Sequence, residues 1–296
     1  MKFLLIYFTG TYNTRYITNL LKDKIIKQGD SVTTIEVNIN TKNIDLNEYD
    51  VIGIGYPIYA FNCPQILINY LKKLKLLNNK KYFIYKNSGE SLGVNNASSR
   101  KIKHLFRKNK IKINNEYHFL MPYNIMFRFE DNCIKELLGY NSKLADILLY
   151  ELTNNKKHII KNNFIYEINS LIFTLQRFGG WFNSYFYRVN QDKCINCNLC
   201  VNSCPTNNIF VSKDGSIKFK HNCLMCMRCS MSCPKDAINI GILNNWKVNQ
   251  NYDFSKIVND QTLDGNFINK TSKKFFNCYK EDYKYINKKY NEYFNK

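Results

Sequence analysis

The chain lacks any apolar run long enough to cross a membrane. A transmembrane helix needs about 18 or more consecutive apolar residues, and no window of the 296-residue sequence approaches that length. Residues 3–8 are apolar, but this run is too short for the core of a secretion signal, and no small-residue cleavage site follows it. We therefore expect no transmembrane segment and no signal peptide.

The motifs of common nucleotide-binding enzymes are also absent. The sequence contains no Gly-x-Gly-x-x-Gly fingerprint and no Gly-Lys-Ser/Thr phosphate loop. Its four histidines follow no metal-binding spacing, and no polar residues group into a pattern for acid–base work on a substrate. We therefore name no catalytic residue.

Acidic residues are scarce relative to basic ones. The chain has 43 Lys and Arg against 23 Asp and Glu, a formal net charge of +20. The basic residues are spread along the chain and form no nucleic-acid recognition motif, so we do not expect nucleic-acid binding. Charge spread in this way is typical of a compositional bias of the whole proteome. The functional alternative is electrostatic steering of an acidic partner or of an anionic membrane surface.

Cysteine is abundant and unevenly placed, with eight of the 11 residues in one segment. The segment is an internal duplication, because its two halves repeat at one constant shift, from position 194 to 223 and again from 204 to 233. We call this shift the repeat offset. The two halves read Cys194-x2-Cys197-x2-Cys200-x3-Cys204-Pro205 and Cys223-x2-Cys226-x2-Cys229-x3-Cys233-Pro234.

The placement of the cysteines also indicates the redox compartment. Cysteines at ligand spacing are typical of a reducing, cytoplasmic compartment rather than of a disulfide scaffold. The isolated Cys63, Cys133 and Cys278 are expected to pack in the core.

Thiolates suit iron–sulfur clusters and zinc. Zinc sites usually use two cysteine pairs a dozen or more residues apart. Here each run has three cysteines two residues apart, a fourth three residues further on, and then a proline. This spacing favours a cluster, although a zinc site or a degenerate repeat stays open as an alternative.

The segment resembles the 2[4Fe–4S] bacterial ferredoxins over its whole length. In that family the fourth cysteine of each run serves the other cluster. The resemblance implies that cluster I is held by Cys194, Cys197, Cys200 and Cys233. It implies that cluster II is held by Cys223, Cys226, Cys229 and Cys204.

Strands and helices alternate in the first half of the chain. Predicted strands cover residues 2–8, 32–37, 50–55, 81–85 and 117–121, with helical patterns between them. This alternation predicts βαβ units and a parallel sheet. Asn62, three residues before Gln65, predicts a capping box at the start of the second helix.

The turn after the first strand, residues 9–14, suits a phosphate. It combines hydroxyls and an amide with the amino end of a helix, where unpaired N–H groups and the helix dipole favour an anion. With five alternating strands, the chain resembles the flavodoxins, whose flavin mononucleotide (FMN) phosphate turn has the form Ser/Thr-x-Thr-Gly-Asn-Thr. Tyr12 stands where that family has glycine, at a cost if the backbone needs a positive φ.

The flavodoxin resemblance implicates two more loops. In that family the loops after strands three and four embrace the isoalloxazine ring, and a strand order of 2-1-3-4-5 places all three loops at one switch point. Tyr59, or else Tyr56, is the candidate for stacking on the ring. The implied FMN-binding residues are Thr9, Gly10, Thr11, Tyr12, Asn13, Thr14, Pro57, Ile58, Tyr59, Ala60, Asn87, Ser88 and Gly89.

The sequence therefore predicts an α/β flavodoxin-like domain, with a doubly wound parallel sheet, fused to a small α+β bacterial ferredoxin-like domain. We divide the chain into a flavodoxin-like FMN domain (1–150), a helical bridge (151–187), a 2[4Fe–4S] ferredoxin domain (188–242) and a polar C-terminal tail (243–296). The tail either wraps onto the body or is partly mobile.

The expected function is electron transfer between FMN and two [4Fe–4S] clusters, to or from a redox partner that the basic charge suggests is acidic. Such a protein is an electron carrier or an oxidoreductase component. The alternative is a ferredoxin-type carrier whose flavodoxin-like domain has lost FMN and serves only as a docking module. Tyr12 motivates that alternative.

Overall fold

A computed structural model describes residues 1–295, with side chains for all of these except residues 176–178. The first domain is built on a parallel sheet of five strands in the order β2-β1-β3-β4-β5. The strands are β1 (Lys2–Tyr7), β2 (Ser31–Glu36), β3 (Val51–Pro57), β4 (Lys81–Ser88) and β5 (Asn115–Leu120). The predicted fold class and strand order are confirmed.

Helices cover both faces of this sheet. Alternate residues of β1 enter two separate cores, with Phe3 and Leu5 on one face and Leu4 and Ile6 on the other. Both faces of β1 are therefore buried, which explains its continuous apolar sequence. The flanking helices are α1 (Asn13–Lys27), α2 (Gln65–Lys73), α3 (Arg100–Lys108), preceded by a 3₁₀ turn (Gly93–Ser99), and α4 (Asp131–Thr153).

The predicted capping box at the start of α2 is wrong. Pro64 occupies the N-cap position, and no side chain caps the helix. The Asn62 amide instead donates hydrogen bonds to the carbonyls of Ala60 and Ser170, at 2.8 Å each. Asn62 therefore ties the loop after β3 to a later helix.

That later helix belongs to a helical run of three segments between the two domains. The segments are α5 (Phe164–Ile172), a 3₁₀ turn (Phe173–Leu175) and α6 (Gln176–Ser184). Within residues 1–295, no helix is both long and apolar enough to span a membrane.

The cysteine segment folds as two similar halves. The antiparallel pairs β6–β9 and β7–β8 hold it together, with short helices between strands. The elements are β6 (Tyr187–Val189), α7 (Leu199–Ser203), β7 (Ile209–Val211), β8 (Ile217–Phe219), α8 (Arg228–Met231) and β9 (Ile238–Ile240). Helix α8 begins one repeat offset after α7, as the duplication requires.

The C-terminal residues return to the first domain. They contain a 3₁₀ turn (Gly241–Trp246), α9 (Phe254–Asn259), a second 3₁₀ turn (Lys274–Phe276) and α10 (Asn277–Phe294). Helix α10 lies along α4, with the Tyr140 and Tyr283 rings stacked at 3.5 Å. The segment described above as a polar tail thus buries Tyr279, Tyr283 and Ile286.

Candidate functional site

The turn between β1 and α1 presents buried polar groups that have no partner. Thr9 is fully buried, and its hydroxyl has no hydrogen-bond partner among the described residues. A buried hydroxyl without a partner is costly, and the first N–H groups of α1 also lack helical partners. The Thr9 hydroxyl and the amino end of α1 therefore fit an anionic group such as the FMN phosphate.

Tyr12, which stands where the flavodoxin turn has glycine, adopts the left-handed backbone conformation. Its φ is 70°, and it occupies the N-cap position of α1. This conformation costs a non-glycine residue about 1–3 kcal/mol. Two guanidinium groups contact the ring, Arg15 at 4.5 Å and Arg228 at 5.4 Å from its centre. Cation–π attraction to both arginines offsets part of the strain, so the turn keeps its shape with tyrosine.

A cavity of about 1230 Å³ opens at the carboxyl ends of the strands, between the two domains. The predicted FMN residues that line it are Thr9, Gly10, Thr11, Asn13, Pro57, Ile58, Tyr59, Ala60, Asn87, Ser88 and Gly89. All three predicted loops thus meet at one cavity, as a shared switch point requires.

The other two predicted residues, Tyr12 and Thr14, are not part of the cavity wall. Thr14 is buried, and its hydroxyl accepts a hydrogen bond from the Asn87 amide at 3.1 Å. This bond joins the first predicted loop to the third. The structure therefore gives Tyr12 and Thr14 supporting positions behind the turn.

The two candidates for ring stacking lie in different places. Tyr59 lines the cavity, and its buried hydroxyl has no partner among the described residues. Burial, followed by the charge of Cys226, raises the pKa of the Tyr59 hydroxyl well above its usual value, which keeps this group neutral. Tyr56 is fully buried with its hydroxyl 3.3 Å from that of Ser98, so it does not reach the cavity.

The second cysteine run forms the opposite wall of the cavity. Cys223 and Met225 line it directly, together with Met227. The Cys226 carbonyl lies so close to Gly10 that a Cβ built there would sit 2.6 Å from it, and closer still to the Tyr59 hydroxyl. Only glycine lets the first predicted loop and the second cysteine run touch in this way.

Three cysteines of the second run are neighbours of the last cysteine of the first. Burial, with the charges of Cys226 and Cys204, raises the pKa of the Cys223 thiol to about 12. Burial and the charges of Cys226, Cys223 and Cys204 likewise raise the pKa of the Cys229 thiol. Cys204 therefore lies with the three cysteines of the other run, an arrangement that supports the crossed set proposed for cluster II.

The reciprocal set shows the same relation. Burial raises the pKa of the Cys200 thiol to about 11, and the charges of Cys233 and Cys194 add to the shift. Cys233 therefore lies with the first run. Within residues 1–295 no three His, Cys, Asp or Glu side chains are arranged to hold one metal ion. In a [4Fe–4S] cluster each thiolate binds its own iron, so the cysteines of a cluster need not converge on one metal ion.

Backbone N–H groups point at the fourth cysteine of each run. The Asn208 amide donates to the Cys204 sulfur, and the Ala237 amide donates to the Cys233 sulfur, both at 3.2 Å. The two donors are themselves separated by the repeat offset. Hydrogen bonds of this kind tune the reduction potential of a cluster.

Arg228 joins the two domains, and the sequence analysis missed it. Its guanidinium donates to the carbonyls of Gly10, at 2.8 Å, and Thr9, at 2.5 Å, and it forms an ion pair with Glu36 at 2.9 Å. Comparing the two halves of the duplication would have exposed it, because the matching position in the first half is Leu199.

The loop after β5 also lines the cavity, and it too was missed. Pro122 accepts a 2.7 Å hydrogen bond from Asn13, and Tyr123 packs against Gly89. The hydroxyl of Tyr279, on α10, donates to the Gly89 carbonyl. Strand order alone indicated that this loop would meet the others, since parallel strands end at one edge.

A neutral histidine lies behind the third loop. His118 shares a 2.8 Å hydrogen bond with the hydroxyl of Ser88, which lines the cavity. Burial, followed by the charge of Lys86, lowers the pKa of His118 to about 3. Lys86 is fully buried and donates to Glu116 at 2.6 Å, so its charge is paired. This histidine therefore stays uncharged at neutral pH.

Known families and structures match parts of the chain. Residues 4–112 match a flavodoxin domain and residues 187–210 match a 4Fe-4S binding domain. A flavodoxin from Streptococcus pneumonia TIGR4 is 17% identical and covers 51% of this chain and 99% of its own, with a TM-score of 0.37. A short-chain flavodoxin associated with a non-canonical PDU bacterial microcompartment is 18% identical (51% and 97% covered, TM-score 0.38).

Flavodoxin 1 from Bacillus cereus is 15% identical, covers 48% of this chain and 95% of its own, and has a TM-score of 0.35. No curated protein matches the chain. The family matches show a flavodoxin domain and a 4Fe–4S ferredoxin-type domain in one chain. A flavodoxin domain and a 4Fe–4S domain together are typical of electron-transfer flavo-iron–sulfur proteins.

Proposed function

We propose that this chain, in which a flavodoxin domain and a 4Fe–4S ferredoxin-type domain are joined, exchanges electrons between one FMN and two [4Fe–4S] clusters. FMN takes up two electrons and releases them singly, whereas each cluster carries one at a time. Joining both domains in one chain makes the exchange intramolecular and gives it a high effective concentration.

The shared cavity carries this proposal. Its walls come from the three predicted flavin loops on one side and from Cys223 and Met225 on the other. A flavin held by these loops would adjoin the cysteines proposed for cluster II. The Gly10 contact with the Cys226 carbonyl supports the same arrangement, because it removes any intervening side chain.

The chain's own residues have three tasks in this arrangement. The Thr9 hydroxyl and the amino end of α1 would bind the phosphate, and the 57–60 and 87–89 loops would hold the ring system. Arg228 fixes the cysteine segment against the phosphate turn through two carbonyls. The first cysteine run lies on the outer side, where Cys197 is exposed, and would face the redox partner.

The test is anaerobic purification followed by quantification of iron, acid-labile sulfide and flavin. The proposal expects about eight irons, eight sulfides and one FMN per chain. Two zincs without acid-labile sulfide would overturn it. Eight irons without flavin fluorescence after denaturation would instead support the alternative, in which the flavodoxin domain only docks the protein.

A further inference from the structure

The helical run of residues 164–184 carries an apolar stripe that faces solvent. Its members recur at spacings of three and four residues, which places them on one side of a helix. We call these residues the outer stripe: Phe164, Ile165, Ile168, Leu171 and Ile172, which are 76%, 66%, 41%, 57% and 57% exposed. A surface helix normally turns its apolar face toward the core, whereas α5 turns its apolar face toward solvent.

Polar contacts on the other side of α5 hold it in this orientation. Ser170 is fully buried, and its hydroxyl donates to the Phe61 carbonyl at 3.0 Å. The Asn62 amide donates back to the Ser170 carbonyl at 2.8 Å. The Tyr166 ring packs against Gly93. Rolling the helix to bury its apolar side would break these buried hydrogen bonds, so the outer stripe is a fixed feature of the fold.

Exposed aromatic residues extend the apolar surface along the end of α6 and the turn that follows it. Phe182 and Phe186 are 53% and 43% exposed. Trp181 and Tyr185 are 48% and 41% exposed, although Trp181 also lines the cavity and the Tyr185 ring stacks on His221 at 3.6 Å. Tryptophan and tyrosine prefer the interface between lipid and water, where one end of the ring is apolar and the other is wet. Exposed apolar side chains grouped along one helical run in this way mark an interaction site.

Positive charge flanks this surface. The segment 154–188 contains five Lys and Arg residues and one Glu, a net charge of +4 (5 − 1). Lys157 and Lys161 are exposed shortly before α5, whereas the Lys156 ammonium lies over the Tyr293 ring, 4.3 Å from its centre. A helical segment with an apolar face, interfacial aromatics and flanking lysines matches the pattern of helices that lie flat in an anionic membrane surface.

We propose that the outer stripe, together with the exposed aromatic residues at the end of α6 and in the turn after it, docks the protein on an anionic lipid surface. The apolar side chains would enter the headgroup region, and the flanking lysines would contact anionic headgroups. Two candidates could cover this surface, a lipid membrane and a second copy of this chain. The net charge of +4 favours the anionic membrane, because two copies of the segment would repel each other.

The test is co-sedimentation of the anaerobically purified full chain with vesicles. Vesicles of phosphatidylglycerol and phosphatidylcholine should carry down the protein, and vesicles of phosphatidylcholine alone should carry down much less. The triple variant Ile165→Gln, Ile168→Gln, Leu171→Gln should lower partitioning at least about tenfold, because it removes three exposed apolar groups. Its flavin and iron content should equal that of the wild type, since the three side chains are exposed.

The matched control is Ile26→Gln, at an isoleucine on α1 that is 53% exposed and outside the stripe, which should bind vesicles as the wild type does. Wild-type protein that stays in the supernatant with anionic vesicles at low salt would overturn the proposal. So would a triple variant that sediments fully. A wild-type dimer that becomes monomeric in the triple variant, with no vesicle binding by either, would assign the face to self-association instead.

Discussion

The two halves of the cysteine segment have the same backbone and opposite surroundings. Three positions of each half adopt positive φ, and they pair at the repeat offset: Asn196, Asn198 and Asn207 with Met225, Met227 and Asp236. Yet Cys197 is exposed, whereas its counterpart Cys226 is buried. The duplication therefore preserves the geometry for ligands while one half turns to solvent and the other to the flavodoxin domain.

The side chains at matched positions explain the difference. Asparagine tolerates the left-handed conformation well, but methionine does not, at a cost of about 1–3 kcal/mol for each such residue. Met225 and Met227 adopt it nonetheless, and both line the cavity. Leu199 is 48% exposed, whereas Arg228 at the matched position is buried against the turn at residues 9–14. The second half is therefore adapted to the domain interface.

Removing a fourth cysteine should have the largest effect. In the crossed assignment, Cys204→Ala removes a ligand of cluster II although it lies in the first run. We expect loss of the cluster II signal by electron paramagnetic resonance (EPR), up to about four irons, with cluster I retained. The reciprocal Cys233→Ala should lose cluster I. Selective loss of cluster I in Cys204→Ala would refute the crossed assignment.

Replacing the interface arginine should have the next largest effect. Arg228→Leu places the residue of the first half in the second, and removes the hydrogen bonds to Thr9 and Gly10 and the ion pair with Glu36. Because these groups are largely buried, we expect a loss of about 2–4 kcal/mol in the free energy of unfolding. Chemical denaturation followed by flavin and tyrosine fluorescence measures it.

The reverse exchange, Leu199→Arg, is the matched control for Arg228→Leu. It alters an exposed position and should change stability by no more than about 0.5 kcal/mol. Equal effects of the two exchanges would mean that the halves do not differ in the way described.

Adding one methyl group at the contact between the domains should have a smaller effect. Gly10→Ala forces a Cβ against the Cys226 carbonyl and the Tyr59 hydroxyl, at a cost of about 1–3 kcal/mol. We expect FMN affinity to fall by about tenfold or more, as measured by fluorescence titration of the flavin-free protein. The control is Gly139→Ala, because Gly139 lies in α4 with open space around it. This variant should bind FMN as the wild type does and should unfold at a slightly higher denaturant concentration, since alanine favours a helix over glycine.

The smallest expected effect is on the pH dependence of stability, and it involves only His118 in the flavodoxin domain. The unfolded histidine titrates near 6.5, but folded His118 has a pKa of about 3, so the unfolded state binds the proton first. Stability should therefore fall as pH drops, by about 1 kcal/mol between pH 7 and 5.5. His118→Gln should remove this part of the slope in urea titrations at several pH values. If the slope is the same in His118→Gln as in the wild type, folding does not lower the pKa of His118.

Much of this arrangement follows from sequence, because spacing and strand alternation record local requirements. The cysteine spacing predicted a ferredoxin-type domain, which the family match confirms, and the apolar run of β1 indicated a central strand. The sequence of the turn at residues 9–14 predicted one wall of the cavity. The interface could not be predicted, because Arg228 reaches Thr9 and Gly10 from a distant part of the chain and no local pattern encodes that contact. For the C-terminal segment the sequence left open whether it wraps onto the body or is partly mobile, because the apolar parts of its tyrosines, such as Tyr279, supply its buried face and follow no clear apolar period.

The most direct test of the central claim is the order in which the two clusters are reduced after the flavin. The flavin is photoreduced anaerobically, samples are frozen at intervals, and EPR follows each cluster in the wild type and in the two single-cluster variants. Cluster II should be reduced first in the wild type and should still be reduced in Cys233→Ala, whereas cluster I in Cys204→Ala should be reduced at least tenfold more slowly. Equally rapid reduction of cluster I without cluster II would contradict the account.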